Sequence, residues 1–380
     1  MKVVVAGRFY ELQDLGDEKI NSAFVVLFEG FFHRRMFDWQ IFAKNAGDFL
    51  DIIAGAGGRD VLHDKFFQNI MTLRKCLYEL GMTDSGAEVI DNALEIAQEW
   101  ERANLGKFVH KGTPYYFKAG DALIRGDLDR GYLYMHKALE EDRRTVPQDY
   151  HTLPAHKFCA LDFGTPDQAL WPLLDRQVEY LKKRIEDYCS TYGNLKYDIF
   201  EGHFLNNRAE IKPDTLFWFS YTIARLLHLE DISRKDMESD FASQLEMDIL
   251  FAITRLTEMT MKPKYKGGKT NKVYYADYLI DLLEQLTESL PTNCTFQGVY
   301  EEFKNDSDAA VEALLNGSAY GNITKGLSEK QRDCLLSHAM RNHVAHGFLS
   351  VQIIAKQFEK IRERLFNVLF LIVEKLYANP

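Results

Sequence analysis

The feature that most constrains the fold of this chain is the spacing of its apolar residues, which recur every three or four positions. The clearest run lies near the C-terminus, where seven apolar residues form one stripe: Ile354, Phe358, Ile361, Leu365, Val368, Ile372 and Leu376. This spacing is typical of an amphipathic α-helix, because residues three and four apart lie on the same helical face. The sequence therefore predicts an all-α fold, with one short strand at residues 2–6.

Glycine, asparagine and aspartate clusters separate the helical segments and indicate two regions. In residues 1–230 we expect a succession of helical hairpins, with helices at 38–54, 63–80, 87–103, 116–125, 129–141, 171–192 and 215–229. In residues 231–380 we expect helices at 234–258, 274–290, 299–315, 329–346 and 351–377. Because short connections favour antiparallel neighbours, the second region is predicted to be a four- to five-helix up-and-down bundle, with the domain boundary near Glu230.

Composition excludes several classes of protein. The 380 residues are 46% hydrophobic and 27% charged, so the chain can bury a large core and is neither disordered nor collagenous. A net charge of -10 opposes a protein that coats nucleic acid over its whole surface, although it allows a local basic site. Five scattered cysteines and apolar runs shorter than the roughly 20 residues of a membrane helix predict a cytoplasmic protein without disulfides or membrane contact.

One predicted hairpin carries a more specific pattern. Residues 126–139 would form the turn and the second helix of this hairpin. Small side chains and one bulky methionine lie where the two helices would meet: Ala119, Ala122, Gly131, Ala138 and Met135. This stretch resembles the turn and second helix of a tetratricopeptide repeat (TPR). No second copy follows at the family's period, so we expect an irregular TPR-like array, and an ordinary helical hairpin remains an alternative. The resemblance implies a sensor or regulatory region that takes a protein or small-molecule regulator.

Polar residues end an otherwise apolar stripe of the helix predicted at 329–346. Leu335, Ala339, Asn342 and His346 lie at i, i+4, i+7 and i+11, which places them on one face. Gly347 is a candidate C-cap, so His346 falls in the last turn, where the helix dipole stabilises a protonated histidine. Arg341 lies about 140° away around the helix, and its long side chain can reach the same end.

This group resembles the signature of the HEPN superfamily, in which an arginine, four to six residues and a histidine mark a ribonuclease site. Here the pattern is Arg341, four residues and His346, with Asn342 as the polar residue after the arginine. The resemblance implies a metal-independent endoribonuclease without a cofactor, acting on single-stranded RNA as a homodimer through its C-terminal bundle. It also implies a role as a toxin or as an anti-phage or CRISPR-linked defence effector.

The resemblance assigns a role to each residue of the group. Arg341 would bind the phosphate, because a guanidinium presents fixed donors to an anion. His346 would transfer the proton, since an unperturbed imidazole has a pKa of about 6.5. Asn342 would orient the histidine or the phosphate.

Three other interpretations of the same residues remain open. Asn342 and His346 can be satisfied polar groups that lock a bundle, or His343 and His346 can be two ligands of a zinc site that lacks further candidates. The whole protein can also be a non-catalytic helical scaffold that binds RNA, a nucleotide or a protein. His338 and His343 are expected at the rim of the site or exposed.

A basic segment provides a candidate RNA-binding surface. Within eleven residues that contain no acid lie five lysines and one tyrosine: Lys262, Lys264, Lys266, Lys269, Lys272 and Tyr265. Ammonium groups can follow phosphates while aromatic rings stack on bases. We therefore expect RNA to contact this segment and His343, although a solvated helix connection would show the same pattern.

Overall fold

The computed structural model describes residues 1–34, 39–57, 61–62, 65–164, 166–236, 240–265, 274–345 and 351–378. Within these residues the chain forms sixteen α-helices and four short strands. The predicted all-α class is therefore confirmed. The chain divides into two compact units, Met1–Ala155 and His156–Pro380.

The described residues of the first unit include four short strands and the helices α1 to α6. Its strands are β1 (Lys2–Val5) and β2 (Arg8–Glu11), which pair antiparallel, and β3 (Val61–Leu62) and β4 (Phe108–Val109), which pair in parallel. Its helices are α1 (Glu18–Arg34), α2 (Trp39–Gly57), α3 (Lys65–Glu79), α4 (Thr83–Ala103), α5 (Gly112–Ile124) and α6 (Leu128–Thr145). The strand expected at 2–6 is thus half of a hairpin, which turns at Ala6 and Gly7 with positive φ angles.

The predicted hairpin at 116–141 is present as α5 and α6, which pack closely together. Gly126 turns the chain with a φ of 82°, and the Asp127 side chain accepts a hydrogen bond from the Arg130 amide to cap α6. A Cβ atom on Gly131 would lie 2.5 Å from the Leu123 side chain. The small residue is therefore needed for the close approach of these two helices.

The second unit contains the remaining helices, and the chain enters it within α7 (Pro154–Cys159). These are α8 (Trp171–Thr191), α9 (Tyr197–Phe200), α10 (Pro213–Asp236), α11 (Asp240–Met261), α12 (Tyr275–Gln285), α13 (Phe296–Asn305), α14 (Ser307–Asn316), α15 (Glu329–Ala345) and α16 (Val351–Ile372), which continues into a π-helical turn at Val373–Ala378. Glu230, where we placed the domain boundary, lies inside α10. The compact units instead divide between Ala155 and His156.

The centre of the second unit is formed by α11, α15 and α16, which pack on one another. Ile253, Leu335 and Leu365, one from each helix, are fully buried. The single helix expected at 299–315 is broken into α13 and α14 by Asp306, whose side chain accepts a hydrogen bond from the Ala309 amide. An aspartate in this position favours a new helix start because it satisfies an amide that lacks a helical partner.

Candidate functional site

Helix α15 carries the described part of the candidate site. On its inner face Leu335 and Ala339 are fully buried against the core, and the polar residues Ser337 and His343 of the same helix are fully buried as well. Arg341 and Asn342 follow in its last turns and are half-buried. Packing of the inner face therefore fixes the rotation of the helix and places both polar side chains at its edge.

Two neighbours hold the guanidinium of Arg341. Its Nε and Nη2 atoms both donate to Oε2 of Glu258 at 3.2 Å, and its Nη1 atom donates to Oδ1 of Asn342 at 3.0 Å. Glu258 belongs to α11, so this ion pair joins two helices of the central layer. The side chain of Arg341 is 36% exposed and that of Glu258 is 28% exposed, and an ion pair with this exposure contributes about 0–1 kcal/mol to stability.

Arg341 keeps donors for a ligand. A guanidinium has five N–H groups, and three of them point to Glu258 and Asn342. The other two donate to no described residue. Because the side chain is partly exposed, an anion can approach these two groups while Glu258 and Asn342 hold the plane of the guanidinium in place.

His338 extends this network into the core. Nδ2 of Asn342 lies 2.9 Å from Nε2 of His338, and because the amide nitrogen donates, the histidine proton is assigned to Nδ1. The ring is 7% exposed, and its centroid is 5.2 Å from that of Phe296. Burial and, secondarily, the charge of Arg341 lower the pKa of His338 to about 4. His338 is therefore neutral near pH 7, and it positions Asn342 rather than transferring a proton.

His338 and His343 are expected at the rim of the site or exposed; exposure is wrong, because both residues are buried. His343 has no exposed surface, and its ring centroid lies 6.2 Å from that of Tyr300 and 5.7 Å from that of Phe303. Both aromatic residues belong to α13, which packs on α15. His343 therefore cannot contact RNA in this conformation, and its place in the sequence pattern reflects the helical core.

The basic segment is described only in part. Lys262 is exposed, whereas Nζ of Lys264 donates to Glu210 at 2.6 Å and lies 4.3 Å from the ring centroid of Tyr377. The half-buried ring of Tyr265 packs 4.9 Å from that of Tyr278. Of the two lysines, Lys262 therefore has the more exposed charge. The other predicted site residues lie outside the described residues: Lys266, Lys269, Lys272 and His346.

Sequence reasoning missed Glu258 as a member of the site. It is the last residue of the helix expected at 234–258, and nothing in its local pattern links it to α15. The contact between His338 and Asn342 could have been predicted, because the two residues are at i and i+4 on one helix. Contacts within a helix can be predicted from spacing, whereas the contact between α11 and α15 depends on tertiary packing.

A second polar cluster is buried in the first unit, between the start of α5 and the end of α6. Nδ1 of His110 lies 2.7 Å from the Thr145 hydroxyl, which itself donates to the Glu141 carbonyl at 2.6 Å. Nδ1 must therefore carry a proton, and Nε2 of the same ring lies 3.6 Å from Oδ1 of Asp142. Asp142 is 3% exposed, and burial, together with the charge of Glu141, raises its pKa to about 7.

We expect this carboxyl to make the first unit less stable at alkaline pH. The folded state holds the Asp142 proton up to about pH 7, whereas the unfolded chain loses it near its ordinary value of 3.8. The stabilisation is therefore complete below about pH 4 and is lost as the pH rises through 7. Urea unfolding at pH 5 and pH 8 should show that the wild type loses more stability than Asp142→Asn, whose amide does not titrate. An equal loss in both proteins would contradict this assignment.

Two classes of site have no support among the described residues. No group of three or more His, Cys, Asp or Glu side chains there is arranged to hold a metal ion. None of the described helices combines the length and apolar character that a membrane span requires.

Comparisons with known proteins give no relative for this chain. No family model matches it, and neither a curated protein nor a solved structure does.

Proposed function

We propose that this chain is a metal-independent endoribonuclease that cleaves single-stranded RNA, with its site at the end of α15. The observation that carries the proposal is the arrangement of Arg341, which Glu258 and Asn342 hold while two of its N–H groups donate to none of the described residues. Its spacing to His346 is that of the HEPN signature. A fixed guanidinium and a titratable imidazole are the two groups that attack on a phosphodiester requires.

The chemistry needs only groups of the chain and of the RNA. The ribose 2'-hydroxyl attacks the adjacent phosphorus, and the bond from phosphorus to the 5'-oxygen of the next nucleotide breaks. The proton of the 2'-hydroxyl is lost and one is gained by the leaving 5'-oxygen, so the net proton count does not change; His346 serves as the general base that accepts the first or as the general acid that delivers the second, and water exchanges the other. Arg341 stabilises the negative charge that develops on the phosphoryl oxygens. The products are a 2',3'-cyclic phosphate and a 5'-hydroxyl.

The proposal includes the assembly and context that the family resemblance implies. Two copies of the second unit would face each other in a homodimer, with both motifs at the interface. The first unit would hold the nuclease inactive until a protein or small molecule binds, as expected of a toxin or a defence effector.

A non-catalytic scaffold is the second candidate, and the ion pair of Arg341 with Glu258 favours it. In a scaffold, the hydrogen bonds that link Glu258, Arg341, Asn342 and His338 would only hold α15 against α11. The same contacts that position a catalytic arginine also satisfy a structural one. Activity toward RNA separates the two candidates.

The chemistry of the substrate tests the proposal. We expect an RNA oligonucleotide incubated with the protein in EDTA to yield 2',3'-cyclic phosphate and 5'-hydroxyl ends. A matched oligonucleotide with a single 2'-deoxy nucleotide at the cleaved position should remain intact there, because it lacks the nucleophile. Electrophoresis and mass spectrometry identify the ends. Cleavage of the 2'-deoxy substrate at the same bond, or 5'-phosphate products, would contradict the mechanism.

A further inference from the structure

A groove lies on the surface of the second unit between α10 and α11. It has a volume of about 190 Å³, below the roughly 300–1,000 Å³ of pockets for drug-sized ligands. Trp218, at 40% exposure, forms part of its wall. Its lining also includes Arg225 from α10 and Asp248, Phe251 and Arg255 from α11. The groove therefore fits one planar ring rather than a folded partner.

Its lining combines aromatic surfaces with positive charge. The guanidinium of Arg255 lies 5.9 Å from the ring centroid of Phe251. Arg225 is 4.0 Å from Asp248, and the two side chains are 27% and 50% exposed, so this pair is weak. Two guanidiniums against one carboxylate leave a net positive charge, which suits a ligand that carries both a flat ring and an anion.

The groove adjoins the candidate site along α11. Counting 100° per residue, Phe251, Arg255 and Glu258 lie on one stripe of this helix, and Lys262 follows directly after its end. Arg255 precedes Glu258 by about 4.5 Å along the axis, and Glu258 holds Arg341. Arg255 and Lys262 are both exposed, and Glu258, between them in the sequence, binds the third cation, Arg341.

We infer that this groove binds one nucleotide of the single-stranded RNA, next to the phosphate held by Arg341. Trp218 stacks on the base, and Arg225 and Arg255 contact the adjoining phosphate. Stacking on an aromatic ring accepts any base, and a guanidinium binds phosphate through paired donors. The inference rests on the proposed function, because it assigns a substrate subsite to the same unit.

Binding measured without cleavage tests the subsite. In a His346→Ala background, we expect Trp218→Ala to weaken binding of a fluorescent 12-nucleotide oligouridine about tenfold, in line with the loss of one stacked base. Trp218→Phe, which keeps a ring, should retain most of the affinity. Trp171, also 40% exposed and in the same unit, provides the matched control, and Trp171→Ala should bind as the parent does.

The salt dependence tests the arginines separately. Arg255→Ala should reduce the slope of log affinity against log salt concentration by the amount expected for about one lost phosphate contact. Arg176 is an exposed arginine on α8, and Arg176→Ala should leave the slope unchanged. Circular dichroism checks that each variant is folded.

The outcomes distinguish the subsite from the proposed function. Cleavage by the wild type with unchanged oligouridine affinity in Trp218→Ala and Arg255→Ala overturns the subsite and leaves the ribonuclease intact. Loss of self-association in Trp218→Ala, with RNA affinity unchanged, also overturns it and assigns the groove to a protein partner. Oligouridine binding that depends on Trp218, without cleavage by the wild type, supports the groove and removes the ribonuclease.

Discussion

We expect Gly112→Ala to lower the free energy of unfolding of the first unit by about 2–3 kcal/mol, within the usual cost of overpacking. Gly112 is the first residue of α5 and backs onto the buried cluster of α6. An added Cβ atom would clash with Oδ1 of Asp142 and would lie 2.8 Å from Cε1 of His110. Both residues are at least 92% buried, so neither side chain can move aside without disturbing the packing of the hairpin.

A matched glycine provides the control. A Cβ atom on Gly47, inside α2 of the same unit, would meet no atom within 4 Å, so Gly47→Ala should be neutral or stabilise by up to about 1 kcal/mol. Urea unfolding measures both variants. The double variant Gly112→Ala with Asp142→Ala should lose less unfolding free energy than the two single variants lose together, because it removes the clash with Oδ1 of Asp142. Equal stability of Gly112→Ala and Gly47→Ala would contradict the close approach.

The second large effect concerns activity. We expect Arg341→Ala to reduce RNA cleavage about 100- to 1,000-fold, as removal of one preorganised donor to a developing charge typically does. The fold should survive, because the ion pair with Glu258 is partly exposed and contributes little. Arg341→Lys should recover only part of the rate, since an ammonium cannot donate to Glu258, Asn342 and a phosphate in one plane.

Lys330 is the matched control for Arg341. It lies on the same helix, and its ion pair with Glu288 is 28% and 26% exposed. The two positions are about 16 Å apart along the helix axis, so Lys330→Ala removes the same charge away from the site. Initial rates on a labelled oligonucleotide should fall for Arg341→Ala and stay unchanged for Lys330→Ala. An equal fall in both would mean that general charge, rather than position, supports activity.

The helical class and most helices could be predicted from the sequence because both depend on local periodicity. The final stripe through Ile361 and Leu365 indeed belongs to α16, with both residues fully buried. Boundaries were harder to predict. The break at Asp306 depends on a single capping side chain, and α1 was not predicted.

For the candidate site, only the contacts within one helix could be predicted from the sequence. Arg341 and Asn342 are neighbours in the sequence, and their contact needs no knowledge of the fold. Glu258 is 83 residues from Arg341, and only the packing of α11 on α15 brings them together. Burial of His338 and His343 likewise arises from α13, which the sequence does not place against α15.

Cleavage of RNA in EDTA by the wild type, Arg341→Ala and His346→Ala, with circular dichroism to check folding, tests the central claim most directly. We predict that the wild type cleaves single-stranded RNA without metal and that both variants are folded and lose the activity. Equal cleavage by all three proteins, or intact RNA with the wild type in the presence of its activating partner, would contradict the account.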